Sequence, residues 1–148
     1  MRPTWLRRGQ DERGAALLEM AFTLPLLLLV CVGILEFGRA YQTWQVLTNA
    51  AREGARIAVL PGTTSTDVTT RVRAYMQNGQ LPKYDTATVT ITPTTVSIGA
   101  GGTENASQVT VNYPFDFIVL DPIARLATGK GTGTGVNMVA SATMRNES

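Results

Sequence analysis

An apolar run at residues 14–35 constrains the fold of this chain more than any other feature. It reads GAALLEMAFTLPLLLLVCVGIL and contains one acid, Glu19, near its start. A helix rises about 1.5 Å per residue, so residues 15–35 would cover roughly 31 Å, close to the thickness of a bilayer's hydrocarbon core. We therefore predict a transmembrane helix over 15–35, with Leu24, Pro25 and Leu26 inside it.

The basic residues of the first segment predict the direction of insertion. Arg2, Arg7, Arg8 and Arg13 precede the apolar run, where the only acids are Asp11 and Glu12, and the rest of the 148 residues carries nine basic and nine acidic side chains. Lys and Arg favour the cytoplasmic side of a membrane. We predict a cytoplasmic leader over 1–14, a membrane span over 15–35 and an exported domain over 36–148. Because the excess of basic residues is confined to the leader, the sequence argues against a nucleic-acid partner.

A cleavable secretory signal is the alternative for this region. Such signals have apolar cores of about 7–15 residues and end in a small-x-small site. This run is longer, contains Glu19 and is followed by EFGRA, which is a poor site. A membrane anchor is the better interpretation.

Glu19 has two interpretations, because an acid costs about 2.5–3.5 kcal/mol at the centre of a bilayer and less near its edge. In the first, its side chain reaches the nearby headgroups and does nothing further. In the second, a membrane endopeptidase cuts between Gly14 and Ala15, and Glu19 pairs with the freed amine of a neighbouring subunit. A buried acid and a buried amine satisfy each other when paired, and the pair would fix the axial register between subunits.

The helical pattern continues beyond the apolar run and becomes amphipathic. One stripe recurs at spacings of three and four, at Ala40, Trp44, Leu47, Ala51, Gly54 and Ala58. The sequence therefore predicts one helix of roughly 70 Å that ends at Pro61-Gly62 and is kinked by Pro25 or absorbs it. The small residues Ala50, Gly54 and Ala58 would admit another backbone. We favour the domain's own sheet or second helix as that neighbour.

The remainder predicts a small α+β domain. We expect a helix over 67–78, capped by Thr66 or Asp67, with Arg71 and Arg73 on its solvated face. Alternation with period two then predicts four strands, at 88–92, 95–98, 108–113 and 136–144, in an antiparallel sheet. A hairpin loop at 99–102, a short helix or turn within 115–126 and a glycine-rich loop at 129–133 complete the domain.

The chemistry-bearing residues do not indicate an enzyme. The chain has no His, so histidine zinc sites and Ser-His-Asp triads are excluded, and the single Cys31 lies in the apolar run as a packing residue. A membrane-tethered hydrolase would lack a nucleophile and base. We expect no catalytic residue, no metal and no cofactor.

Several motifs together resemble one family. A glycine before the apolar helix (Gly14), Glu19 five residues later, LPL at 24–26, FGR at 37–39 and NAAREGAR at 49–56 follow the pattern of the TadE-like family, and VTVNYPF and ASATMR near the C-terminus look similar as well. These are minor pseudopilin-type proteins of tight-adherence (Tad, Flp-type) pilus systems.

The resemblance implies a pilin-like fold and a role in assembling an adhesive pilus, related to type II and type IV secretion systems, at the bacterial inner membrane. It also implies cleavage by a prepilin peptidase after Gly14 and contacts with other pilin-like or pilus assembly subunits, with Glu19 as an assembly residue. The alternative is an unprocessed single-pass anchor that carries a periplasmic binding domain. The N-terminus of the mature protein separates the two.

Overall fold

The apolar run lies inside one continuous helix, α1, over Arg8–Ala58. The computed structural model describes residues 8–99, 101–129 and 136–146. The helix has 51 residues, so it is about 76 Å long, and Pro25 lies within it without ending it. It begins six residues before Gly14, although the leader is unpatterned. Propagating an existing helix adds one hydrogen bond per residue, and Arg, Gln and Glu are good helix formers.

The second helix, α2, covers Ser65–Asn78 and begins with a capping box. The Thr64 hydroxyl accepts a hydrogen bond from the Asp67 amide at 3.3 Å, and the Asp67 carboxylate accepts one from the Thr64 amide at 2.9 Å. The predicted start at residue 67, with Thr66 or Asp67 as cap, was therefore wrong. The reciprocal pair satisfies two amide donors at the helix end, so the helix begins two residues earlier.

Three antiparallel strands form one sheet in the order β1-β2-β3. They are β1 Thr88–Ser97, β2 Thr103–Phe115 and β3 Val136–Arg145. The prediction of four strands was wrong, because 88–92 and 95–97 are parts of one strand, β1, where Pro93 lies opposite Ser107. β1 is an edge strand, and an edge strand tolerates the missing N–H of a proline.

The connections between the strands agree with the prediction as far as they are described. The β1–β2 hairpin turns at Gly99 and Gly101, which have φ of 60° and 85°, values that favour glycine. A third helix, α3, covers Leu120–Thr128 between β2 and β3 and ends at Gly129, with φ of 66°. The rest of the predicted glycine-rich loop lies outside the described residues.

The core lies where the second half of α1 packs against α2 and the sheet. Its fully buried larger side chains are Leu47, Met76, Val68, Val72, Val109 and Val111. The predicted stripe is correct at Leu47, Ala51 and Gly54, which are buried. It is wrong at Trp44, which is 47% exposed.

Gly54 marks the closest approach of α1 to the rest of the domain. A Cβ atom there would lie 2.5 Å from Val72 Cγ2 on α2 and 3.2 Å from Val109 Cγ1 on β2. Ala50 is also fully buried in this region. The row of small residues therefore accommodates the domain's own second helix and sheet, which confirms the interpretation we favoured. The α+β prediction with a long N-terminal helix is likewise confirmed.

Candidate functional site

The predicted site residues lie together on the part of α1 that extends away from the domain. Gly14, Ala15 and Glu19 are all exposed. Ala15 and Glu19 are four residues apart, so they lie on the same face of the helix, one turn from each other. Within the described part of the chain, no ion pair or hydrogen bond involves the Glu19 carboxylate; its backbone carbonyl accepts from the Thr23 hydroxyl at 2.9 Å.

The surface around this segment is continuously apolar. Except for Val32, which is half-buried, the large hydrophobic side chains between residues 17 and 35, including those of Leu24 and Leu26, are 44% to 74% exposed. Apolar patches of this extent mark membrane or protein contacts. Among the residues that the structure describes, α1 is the one helix long and apolar enough to cross a membrane.

A buried acid, Glu36, lies directly after the apolar run. Its residue is only 4% exposed. Its Oε1 accepts hydrogen bonds from the backbone amides of Ile118 and Val119, both at 3.0 Å, and its Oε2 accepts one from Arg39 Nη1 at 3.0 Å. Val119 is the N-cap of α3 and supplies no side-chain cap of its own. Glu36 therefore provides from α1 the negative charge that favours the start of α3.

Arg39 extends this contact to the end of β2. Its Nη2 donates to the carbonyl of Asp116 at 3.1 Å, and its guanidinium lies 5.2 Å from the centroid of the Phe115 ring, close enough for a cation–π contact. The Phe37 ring meets the Phe117 ring edge to face at 6.3 Å. We call Glu36, Phe37 and Arg39, together with residues 115–119, the exit clasp. It fixes the end of the sheet to α1 where the apolar run ends.

The other side of the clasp holds an ion pair and a cavity. Lys83 pairs with the carboxylate of Asp116, and this hydrogen bond raises the pKa of Lys83. A cavity of about 330 Å³ lies beside it, between α1, the segment after α2 and the end of β2. Over residues 8–99, 101–129 and 136–146, no group of three or more His, Cys, Asp or Glu side chains could hold a metal ion.

The sequence did not predict the exit clasp. From the sequence, Glu36 indicates only a poor cleavage site, and FGR at 37–39 only supports a resemblance. The available signal was an acid at the end of the apolar run with an arginine three residues later, which is ion-pair spacing on a helix. The partners of Glu36 lie 82 and 83 residues away, so no local pattern could show them.

A second cluster joins α1 to α2 around Glu53. Arg56 donates to both carboxylate oxygens at 3.0 and 3.1 Å, and Arg71 donates through Nε and Nη2 to Oε1 at 3.0 and 2.8 Å. The hydrogen bonds of Arg56 and then of Arg71 lower the pKa of Glu53 from 4.5 to about 2. The prediction that Arg71 belongs only to the solvated face was wrong, because its guanidinium reaches across to α1.

This cluster gives the block at 49–56 a physical role. Ala50, Ala51, Gly54 and Ala55 are buried and let α2 and the sheet approach. Glu53 lies at the edge of the same contact and holds α2 through charge. The block is thus a packing and pairing surface of α1.

These features define a protein built on one long, partly exposed apolar helix whose second half is the core of a small α+β domain. Residues 14–56 match the sequence model of the family described as TadE-like protein, which confirms the resemblance drawn from the motifs. No curated protein and no solved structure matches the chain. The TadE-like segment and the candidate membrane helix fit a membrane protein associated with the Tad pilus.

Proposed function

We propose that this chain is a membrane-anchored minor pilin-like component for the assembly of a Tad pilus, cut by a prepilin peptidase between Gly14 and Ala15. The observation that carries the proposal is the family match, which begins at Gly14 and runs along α1 to residue 56. Other pilin-like or pilus assembly subunits would be its partners. Its role is assembly and not catalysis, since the TadE-like family is not known as enzymatic.

The surroundings of Gly14 support recognition by another protein. A glycine inside a helix is about 1 kcal/mol less favourable than an alanine. A Cβ atom at Gly14 would meet nothing within 4 Å, so packing within the described chain does not require a glycine here. A protease that must approach the backbone closely would require one.

The position of Glu19 supports a role in register. The freed amine of Ala15 and the Glu19 carboxylate would lie one helical turn apart, both within the apolar part of α1. In subunits that pack side by side, the Ala15 amine of one subunit could pair with the Glu19 carboxylate of the next. Each buried charge then has a partner, and a shift along the axis would leave both without one.

We infer the orientation from the leader and the domain. With Arg2, Arg7, Arg8 and Arg13 retained on the cytoplasmic side, residues 15–35 cross the inner membrane and 36–148 lie in the periplasm. The competing proposal is an unprocessed single-pass anchor that carries a periplasmic binding domain. The cavity beside Lys83 supports this competing proposal, because a binding domain needs a place for a ligand.

Cleavage is tested with the variant Gly14→Leu and the matched control Gly33→Leu. Both glycines lie on α1, and an added Cβ atom at either position has nothing within 4 Å of it in the described chain. With the peptidase present, Gly14→Leu should keep the mobility of the precursor on a gel, and Gly33→Leu should run like the processed wild type. Processing of Gly14→Leu at the wild-type rate would contradict cleavage at this bond.

The register role is tested with Glu19→Gln and the control Thr23→Val, which removes a polar group one turn further on. Glu19→Gln keeps the size of the side chain and removes its charge, so it should reach the membrane at wild-type levels and fail to support pilus formation. Thr23→Val should support it. Normal piliation of cells that carry Glu19→Gln would refute the register role.

A further inference from the structure

Four large apolar side chains are exposed around the exit clasp. Phe37 and Ile118 are each 65% exposed, Val119 is 39% exposed and Leu126 on α3 is 90% exposed. We call these four residues the collar. An exposed leucine at 90% on a helix of a folded domain buries nothing within the chain, so its apolar surface is available to a partner.

The exit clasp places the collar at the end of the apolar run. Phe37 lies two residues after Leu35, and Glu36 holds the amides of Ile118 and Val119 at 3.0 Å. Phe37, Ile118 and Val119 are therefore continuous with the exposed apolar surface of residues 17–35. They lie at the level where a span over 15–35 would meet the headgroups, and α3, which carries Leu126, follows Val119 directly.

The rest of the domain extends in the opposite direction. The end of β2 meets α1 at Arg39 through Phe115, whereas the middle of β2 meets α1 at Gly54 through Val109. Phe115 lies six residues after Val109, which is about 20 Å along β2, and Gly54 lies fifteen residues after Arg39, which is about 22 Å along α1, so strand and helix run side by side. The β1–β2 hairpin, with Ile98 beside it, lies a further 20 Å or so beyond Gly54.

We propose that the collar is a lipid-binding surface, and that α3 lies on the membrane with Leu126, Ile118 and Val119 in the headgroup region. Continuity with the span selects lipid as the occupant, because a membrane crossed by residues 15–35 meets the collar without any further partner. Amphipathic helices bury their apolar face at the boundary between headgroups and acyl chains. Arg125, which is 61% exposed and pairs with Asp121, lies next to Leu126 where it can meet lipid phosphates.

Lipid contact at two elements would fix the direction of the domain. A single helix leaves a domain free to tilt about the point where the helix leaves the membrane. Contacts through α1 and α3 together hold the sheet upright, with the hairpin farthest from the bilayer. The inference rests on membrane anchoring by α1 and is independent of cleavage at Gly14 and of pilus assembly.

The test uses the full chain in phosphatidylcholine vesicles with one fluorescent label per protein. The native Cys31 is the single cysteine and reports on the span. In a Cys31→Ser background, Leu126→Cys reports on the collar, Ile118→Cys repeats that measurement at a second position, and Ile98→Cys is the control at the far end. Leu126 is 90% and Ile98 46% exposed, so both labels have room outside the core.

We expect nitroxide lipids labelled near the headgroup to quench the probes at 126 and 118 at least threefold more than the probe at 98. Lipids labelled deep in the acyl chain should quench the probe at 31 most. Equal, weak quenching at 126, 118 and 98 with strong quenching at 31 would overturn the collar proposal and leave the anchor and the proposed function intact. Weak lipid quenching at 126 together with protection from aqueous iodide would also overturn it, in favour of a protein partner. Absence of deep quenching at 31 would overturn both the collar and the anchor.

Discussion

The packing at Gly54 gives the sharpest quantitative prediction. The substitution Gly54→Ala adds one methyl group, which would lie 2.5 Å from Val72 Cγ2 where about 3.5–4.0 Å is normal, so α2 or the Val72 side chain must move by about 1 Å. Overpacking of this kind costs about 1–3 kcal/mol. Against it stands a gain of about 1 kcal/mol for replacing glycine by alanine in a helix. We expect a net loss of up to about 2 kcal/mol in the free energy of unfolding.

Gly38→Ala is the matched control, because it makes the same change on the same helix with nothing within 4 Å. Gly38→Ala should show only the gain in helix propensity. The free energies of unfolding of the two variants should therefore differ by the cost of overpacking, about 1–3 kcal/mol. Thermal unfolding of the full chain in detergent, followed by near-UV circular dichroism, measures this as a difference of at least about 4 °C.

The same substitution in the variant Val72→Ala tests whether contact with Val72 causes the loss of stability. In Val72→Ala the methyl group that would lie 2.5 Å from the added Cβ atom is absent, whereas the contact with Val109 Cγ1 at 3.2 Å remains, so Gly54→Ala should be less destabilising in that variant than in the wild type. The reasoning is refuted if Gly54→Ala and Gly38→Ala behave alike, or if Gly54→Ala is equally destabilising with Val72 replaced by alanine.

Three further predictions concern the polar contacts. Glu36→Ala removes the acceptor of the Ile118 and Val119 amides at a cost of about 1–3 kcal/mol, so hydrogen exchange at these two amides should become about ten- to a hundredfold faster; unchanged exchange would contradict the clasp. The pKa of Glu53 is lowered from 4.5 to about 2, so its stabilisation is present above pH 4.5 and is lost as the pH falls toward 2. The unfolding midpoint of Glu53→Gln should therefore change less with pH over this interval than that of the wild type, and parallel curves would argue against the pair. Thr64→Ala should lower the free energy of unfolding in urea by about 1 kcal/mol through loss of the cap, and an unchanged transition midpoint would show that the capping box contributes nothing.

Local periodicity predicted most of the secondary structure, because each element has a pattern of its own. The apolar run and the stripe through Leu47, Ala51 and Gly54 predicted α1, and alternation predicted the strands. Periodicity was insufficient where the same pattern fits two different structures, such as one long strand or two short ones. The predicted gap between 88–92 and 95–98 contains Pro93, and only the position of β1 at the sheet edge shows why the strand continues through it.

Contacts between distant residues could not be predicted in the same way. Glu36 and Arg39 are three residues apart, so a local pattern can indicate their ion pair. The amides that bind the buried Glu36 carboxylate follow β2, and no local pattern indicates them. Arg71 pairs with a residue eighteen positions away because α2 folds back along α1. Glu19 is the opposite case: its interest came from the sequence, it is exposed on the isolated chain, and its pairing with another subunit stays a prediction.

The N-terminus of the mature protein tests the central claim most directly. Protein extracted from the membranes of piliated cells is subjected to N-terminal sequencing, with Gly14→Leu material as the reference for the uncut form. The account predicts a sequence that begins at Ala15, with Glu19 as its fifth residue. A sequence that begins at Met1, in material that still supports pilus formation, would contradict it and leave the chain as an unprocessed membrane anchor.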